Sequence, residues 1–451
     1  MKQGAGDPPS PCSRPSRRHY EKKHTVVKIY HPVIKKLGEK MNYRGIEYLR
    51  QKLQLKKIRV AKRYNYYAMK NHVPDFGIST PPKLRNVVST LGWCGKAVDS
   101  IADRLIFREF KKDDFDINTI YQLNNSDVLF DSAILGALIS SCSFIYITTD
   151  RDRFPKLQVL NGDEATGIID TTTGMLREGY AVLEKDIETK RPTVEAYFTA
   201  EYTIVYRKFE GVEIYPNPAP FPLLVPILYR PDANRAFGRS RISRACMSLV
   251  EGAARTVKRS EISAEFFSFP QKWVTGLDED AEIEDKWQAA MSAMFTLTKT
   301  NSRDSSEPKF GQFTQQSMQP HTEQLKMFAA LFAGETGLTL DDLGFVTDNP
   351  SSQEAIKASH ECLRLSALKA QRGFGTGFLN AGYLAACVRD DHEYKRSQIY
   401  MTKPKWEPIF SPDATMLSSI GDGAIKINQA VPGYFGKNNL RDVSGIAAEE
   451  Q

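Results

Sequence analysis

Nowhere in this 451-residue chain do apolar residues run for the ~20 positions that a membrane-spanning helix needs. Met1 to Lys40 is broken by Lys, Arg, His and Pro, so it holds no apolar core of a secretory signal. The six cysteines (Cys12, Cys94, Cys142, Cys246, Cys362, Cys387) are far apart and form no CxxC pair. That favours a reduced, cytoplasmic setting over a disulfide framework or a zinc site. The seven histidines show no ligand spacing, and there is no HExxH. No GxxxxGK[ST] loop is present, which argues against a nucleotide-driven motor, and no G-x-S-x-G elbow offers a nucleophile. Gly373-Phe374-Gly375-Thr376-Gly377 has the look of a dinucleotide fingerprint, but its spacing is wrong and it follows a helical pattern instead of a strand. No metal, cofactor or catalytic residue is expected, and the chain does not read as an enzyme.

What the chain has is an uneven charge. The net charge is +7. Residues 1–40 hold 10 Lys and Arg against 3 Asp and Glu, which is the whole of it. Residues 41–70 are again basic, 9 against 1, leaving 42 against 50 over residues 71–451. A mildly acidic body with a basic start does not suit one broad surface for gripping nucleic acid. Residues 1–40 have no usable periodicity and are expected to be a disordered arm: a solvated tail, a start placed upstream of the true one, or a basic tail touching nucleic acid or a partner.

The body predicts an α+β fold. Apolar periodicity gives helices over about Arg44–Asn71, Asn86–Phe107 and Asn118–Ser140. Short β-branched and aromatic runs follow: Phe144–Thr148, Leu157–Leu160, Gly167–Asp170, Gly179–Val182, Thr193–Phe198 and Tyr202–Tyr206. Turn residues space them, which reads as an antiparallel meander. Pro216 to Pro231 reads as a linker. Ser240 to Phe267 is free of proline and carries Ile242, Cys246, Leu249, Ala253 and Val257 at helical spacing, with Ser240 placed to cap it. At ~1.5 Å per residue it makes a rod of roughly 40 Å. Arg241, Arg244, Arg255, Lys258 and Arg259 fall mostly on another side, where they could face DNA phosphates or link to a neighbouring subunit. Phe269 to Gly276 predicts a strand, followed by the acidic run Asp278, Glu279, Asp280, Glu282, Glu284 and Asp285 and a short amphipathic stretch, Trp287–Phe295. Gln315–Leu338 is a second helix, Thr339–Ser352 a loop, and Gln353–Val388 a long helix whose glycines predict a kink. Asp341, Asp342 and Asp348 on that loop read as a solvated acidic turn more readily than as a metal or acid–base set. At least one further helix, Ala414 to about Gln429, is expected.

In this order the parts resemble the portal, or head-to-tail connector, proteins of tailed double-stranded-DNA bacteriophages of the long-tailed siphovirus type. The resemblance is carried by Ala61–Tyr67, Asn86–Val88 through Val98–Leu105, Phe237–Ile242 through Ala264–Gln271, and Gln324–Leu338 followed by Asn349–Ile356. It covers residue 41 to the C-terminus. It implies a wing over 41–236, a stem helix over 237–267, a clip over 268–314 and a second stem helix over 315–338. A tunnel loop over 339–352, a kinked helix over 353–388 and a C-terminal crown over 389–451 complete it.

The resemblance further implies a homo-oligomeric ring, a dodecamer, at one capsid vertex of the virion, assembled in the host cytoplasm, with DNA packaged and ejected through its channel. Implied partners are double-stranded DNA without sequence preference, the terminase large subunit, major capsid and scaffolding proteins, and a head-tail connector (adaptor) protein. No membrane is involved. The tunnel loop would bring Asp341, Asp342, Thr347, Asp348 and Asn349 to the DNA as a low-friction sleeve, since carboxylates repel phosphates. The acidic run would dock the motor, or else simply keep the clip soluble. Two other readings are a DNA-processing enzyme with an unrecognised site and a non-ring head-interior or coat protein.

Overall fold

The computed structural model describes residues 43–74, 86–150, 152–268, 272–275, 309–312, 317–345, 358–410, 414–436 and 439–440. The expected arm over residues 1–40 and the Trp287–Phe295 stretch lie outside them. In chain order come α1 (Ile46–Tyr67), α2 (Trp93–Ala102), β1 (Phe107–Lys111), α3 (Ile117–Gln122) and α4 (Ser126–Ser140). Then follow β2 (Cys142–Thr149), β3 (Pro155–Leu160), β4 (Ala165–Ile169), β5 (Leu176–Lys185), β6 (Pro192–Phe198), β7 (Tyr202–Arg207), β8 (Gly211–Pro216) and β9 (Leu224–Leu228). The second half holds α5 (Arg244–Ser268), β10 (Lys272–Thr275), β11 (Lys309–Gln312), α6 (Gln319–Thr336), α7 (Glu361–Asp390), β12 (Lys403–Trp406) and α8 (Ala414–Ala430).

The body is built in layers, and strand alternation explains them. Strands β4 to β8 form a five-stranded antiparallel meander, which corrects the six-strand meander expected from the sequence: Phe144–Thr148 and Leu157–Leu160 pair in a separate sheet, and Gly211–Pro216, not read as a strand, adds β8. Successive side chains along a strand point to opposite faces. One face of the meander presents Tyr180, Val182, Tyr197 and Ile204, which pack with Leu49 and Leu53 of α1. The other presents Ala181, Ala196, Phe198 and Val205 to the main core. That core surrounds a three-stranded antiparallel sheet in the order β3-β2-β9. Ser143 and Ile227 are paired across β2 and β9 and therefore share a face. Ser143 donates to the Ala133 carbonyl of α4 at 2.6 Å, and Ile227 meets Gly377 of α7. So α4 and α7 cover one side of this sheet. On the other side Tyr146 meets Phe198 of β6, and Leu224 lies against Gly179 of β5.

Helix α7 is the centre of the body. Ala381 through Val388 are buried on every side, as expected of a helix that is apolar all round. Its glycines sit at close approaches: a Cβ on Gly375 would come within 2.7 Å of Pro404, and one on Gly382 within 2.3 Å of Ile117. Tyr121 of α3 donates to the Phe378 carbonyl at 2.6 Å across the same crossing. Within the Gly373–Gly377 run, Phe374, Gly375 and Gly377 are thus buried packing inside a helix, while Thr376 is exposed.

Three sequence expectations change. The helix predicted over Asn86–Phe107 shrinks to Trp93–Ala102, because Phe107–Lys111 pairs with β12. The helix over Asn118–Ser140 divides into α3 and α4 where Asn125 takes a left-handed φ of 52°. The Pro216–Pro231 linker contains a strand, β9, whose Pro226 is tolerated because β9 lies at the sheet edge.

A buried carboxylate fixes where α1 begins. Glu178 on β5 accepts from the Arg44 and Gly45 amides (2.8 and 3.1 Å) and from the Tyr197 hydroxyl (2.7 Å). Burial pushes the Cys94 thiol up to about 12 and the Cys387 thiol to about 11, so both are inert at neutral pH.

Candidate functional site

Helices α5 and α6 pack on each other and are rooted in the main core through Cys246, Val250, Ala253, Ala329 and Phe332. Helix α5 starts at Arg244 because the Ser243 hydroxyl accepts from the Cys246 amide at 3.1 Å. Ser240, expected as the cap, is used otherwise: its hydroxyl donates to the Ile139 carbonyl at 2.6 Å and ties the preceding turn to the end of α4. Gly238 makes that turn possible, with φ of 73° and the Tyr229 carbonyl only 2.1 Å from where a Cβ would stand.

The two helices run antiparallel, and the cross-contacts prove the direction. Ser243 donates to Glu335 at 2.8 Å. Gly252 lies against the Phe328 ring, 2.9 Å from a would-be Cβ. Thr256 Oγ1 is 3.2 Å from Gln324 Oε1, and Ser263 Oγ is 3.5 Å from His321 Nε2. As the residue number climbs in α5 it falls in α6. The hairpin of β10 and β11 carries on in the same sense, with Lys272 opposite Gln312 and Thr275 opposite Lys309. Trp273 lies over Gly311, where a Cβ would come within 2.3 Å of the indole. The result is one two-stranded leg, with α5 alone roughly 37 Å long at 1.5 Å per residue. Residues 276–308 join the two strands at its tip in sequence. The sequence names both rods but not their rungs. The available signal is the series of small residues Gly252, Thr256 and Ser263 on α5.

The basic residues of this stretch do not act as one stripe. Arg241 is buried, which corrects its assignment to an outer face. It donates Nε to the Ala97 carbonyl at 3.1 Å and Nη2 to the Thr336 carbonyl, binding α2 and the end of α6 to the root of the leg. Arg244 is exposed. Glu251 accepts from the Tyr66 hydroxyl and joins the leg to α1. Arg255, Lys258 and Arg259 are half-buried along a cleft of about 320 Å³ whose other walls are Met69–Val73 and Val87–Thr90 of the same chain.

The acidic loop also separates on inspection. Asp342 accepts from the Thr339 amide and hydroxyl, both at 3.0 Å, while the Thr339 hydroxyl accepts from the Asp342 amide at 3.2 Å. This reciprocal box closes the short turn Asp341–Leu343. Asp342 is therefore a turn-closing residue, and Asp341 beside it is exposed. Thr347, Asp348 and Asn349 lie outside the described residues, as do Asp278, Glu279, Asp280, Glu282, Glu284 and Asp285. Among the described residues no group of three or more His, Cys, Asp or Glu is placed to hold a metal, and no helix is long and apolar enough to cross a membrane.

Comparison with known proteins gives a consistent picture. The portal protein of Mycobacterium phage D29 is 24% identical over 406 residues, covering 86% of this chain and 82% of that protein. The portal protein of Mycobacterium phage L5 is 22% identical over 410 residues, covering 87% and 83%. Among solved structures, a chain in the neck of a native gene transfer agent particle overlaps 86% of this chain and 99% of its own at a TM-score of 0.41 and 12% identity. The family model for phage portal proteins of the SPP1 Gp6-like type matches residues 46–422, which takes in the body, the leg and the long central helix. This chain belongs to that family of phage portal proteins.

Proposed function

We propose that the chain is one stave of a ring-shaped portal at a single vertex of a phage capsid, a structural channel through which double-stranded DNA enters and leaves. The observation that carries this reading is the leg: an antiparallel helix pair on a layered body, drawn out at its tip into a β-hairpin, in a chain of the portal family. A rod with a second rod alongside is the shape a tube wall needs, and a ring lets each copy lean on the next. Residues 41–236 form the wing, 237–267 and 315–338 the stem, and 268–314 the clip. Residues 339–352 form the tunnel loop, 353–388 the helix behind it, and 389–451 the crown. The ring is a dodecamer. It is built in the host cytoplasm against scaffolding and major capsid proteins and ends in the virion. The terminase motor docks on the acidic run Asp278–Asp285 during packaging, and a head-tail adaptor takes that place afterwards. DNA is handled without regard to sequence, past a loop whose exposed Asp341 repels phosphate.

Negative-stain images of the purified chain test the core of this. Rings with a central hole, resolving into twelve repeats, are the expected result. Monomers or closed shells at assembly concentrations overturn it.

A further inference from the structure

Two faces of the body are apolar at the centre, charged at the margin and unpartnered among the described residues. The first is the outer side of α1. Leu55 and Ile58 there are 68% and 73% exposed, on adjoining turns. Arg59 and Lys62 flank them, both exposed, and neither has an acidic partner at ion-pair distance among the described residues. Glu47 is the one acidic residue in the whole of α1.

The second face lies at the break between α3 and α4. Leu123 and Val128 are 59% and 68% exposed. Asp127 and Asp131 lie beside them on α4, and Asp103 at the end of α2 comes near enough to act on Asp131; all three are exposed and without a basic partner at ion-pair distance among the described residues. These three carboxylates stand close enough to act on one another. Partial desolvation raises the Asp131 carboxyl, and the charges of Asp127 and Asp103 raise it further. Among the described residues no ion pair offsets this like-charge repulsion.

Each copy thus carries one basic face and one acidic face, each with large apolar side chains at its centre. A closed ring of identical subunits uses two different surfaces at every contact, one from each neighbour. Duplex DNA would suit the α1 face and be repelled by the other. A second copy of this chain satisfies both at once, covering four exposed apolar side chains and bringing cations to an unneutralised acidic cluster.

We propose that the outer face of α1 in one copy, centred on Leu55 and Ile58, docks against the Leu123–Val128 face of the next copy, with Arg59 and Lys62 meeting Asp103, Asp127 and Asp131. This rests on the ring reading above and assigns it a wing-level contact separate from the stem.

A charge exchange on the full-length chain tests the pairing. One variant carries Arg59→Glu with Lys62→Glu. The other carries Asp103→Lys with Asp131→Lys, in which the lysine at 103 also suits the C-terminal end of α2. Each alone should lose ring formation by ~10-fold or more in negative stain and sedimentation, because a like-charged pair faces itself at every contact. Mixed in equal amounts, the two variants should form rings in which they alternate, since each then meets its complement. A single chain bearing all four changes should also form rings. Rings from either variant alone at the wild-type level overturn the proposal, as does a mixture that stays dissociated while both variants keep the wild-type unfolding temperature. Should a reversal unfold the chain, Arg59→Gln with Lys62→Gln and Asp103→Asn with Asp131→Asn carry the test, and undiminished rings from both neutral variants overturn it. Wild-type chain that makes no rings removes the ring reading itself. Wild-type rings with a failed exchange remove only this contact.

Discussion

Asp342 accepts two hydrogen bonds from Thr339 and stands 3.7 Å from the Nδ1 of His360, whereas Asp341 is exposed. The two should therefore respond differently to substitution. Asp342→Ala is expected to lower stability by about 1–2 kcal/mol, the usual loss when a capping side chain is removed, seen as a lower unfolding temperature. Asp341→Lys should leave unfolding unchanged and slow DNA packaging, or hold DNA back on release. Packaging at the wild-type rate would rule out the sleeve reading. The sequence alone puts both residues on the DNA-facing loop and does not separate them, although Thr339-Leu340-Asp341-Asp342 does place an acid three positions after a threonine. The fate of Arg241 was not legible either. It sits three residues before Arg244 in a similar local setting, and the carbonyls that hold it belong to Ala97 and Thr336, 144 and 95 residues away. Local pattern carries no trace of partners that distant.

Between the described helices, the tightest glycine approach is the crossing of α3 over α7, where a Cβ on Gly382 would come within 2.3 Å of Ile117 Cγ2. Gly382→Ala gains roughly 1 kcal/mol of helix propensity. Forcing a methyl into a packed crossing costs about 1–3 kcal/mol. With Ile117 and Tyr121 both fully packed, a net loss of stability is expected in denaturant unfolding. Ile117→Ala in the same chain should recover part of it, and full additivity of the two losses would show that the crossing is not the cause. The strands from Cys142 to Arg207 were read from the sequence because alternation works on both faces of a sheet, with Tyr180 and Val182 toward α1 and Ala181 toward the main core, whereas Phe107–Lys111, Gly211–Pro216, Leu224–Leu228 and Lys403–Trp406 were missed. Helix lengths were read less well. Phe107 looks like the end of α2 until its partner Trp406 is known, and the two pair from opposite ends of the chain. The glycines of α7 were expected to kink it, but Glu361–Asp390 is one unbroken helix, and their purpose depends on Pro404, Ile227 and Ile117, which no local window contains.

At the scale of the whole molecule, the leg invites a deletion. Thr275 stands opposite Lys309, the arrangement in which a two-residue turn joins antiparallel strands. Replacing residues 276–308 by Asn-Gly should leave the body folded and ring assembly intact while abolishing binding of the terminase motor. Retained binding would discard the acidic run as its dock, and lost rings would make that segment part of the ring contact. The antiparallel rungs have a mechanical meaning as well. Ser243–Glu335, Thr256–Gln324 and Ser263–His321 bridge two strands that are each anchored in the body at one end and are continuous in sequence through residues 276–308. A force directed along the leg, from tip to body, is shared by both strands as parallel springs, and no single rung is loaded first. A sideways force that parts the strands would open the rungs one after another. The leg is therefore stiff against axial thrust and compliant against splaying, and neighbours on either side are what would hold it closed.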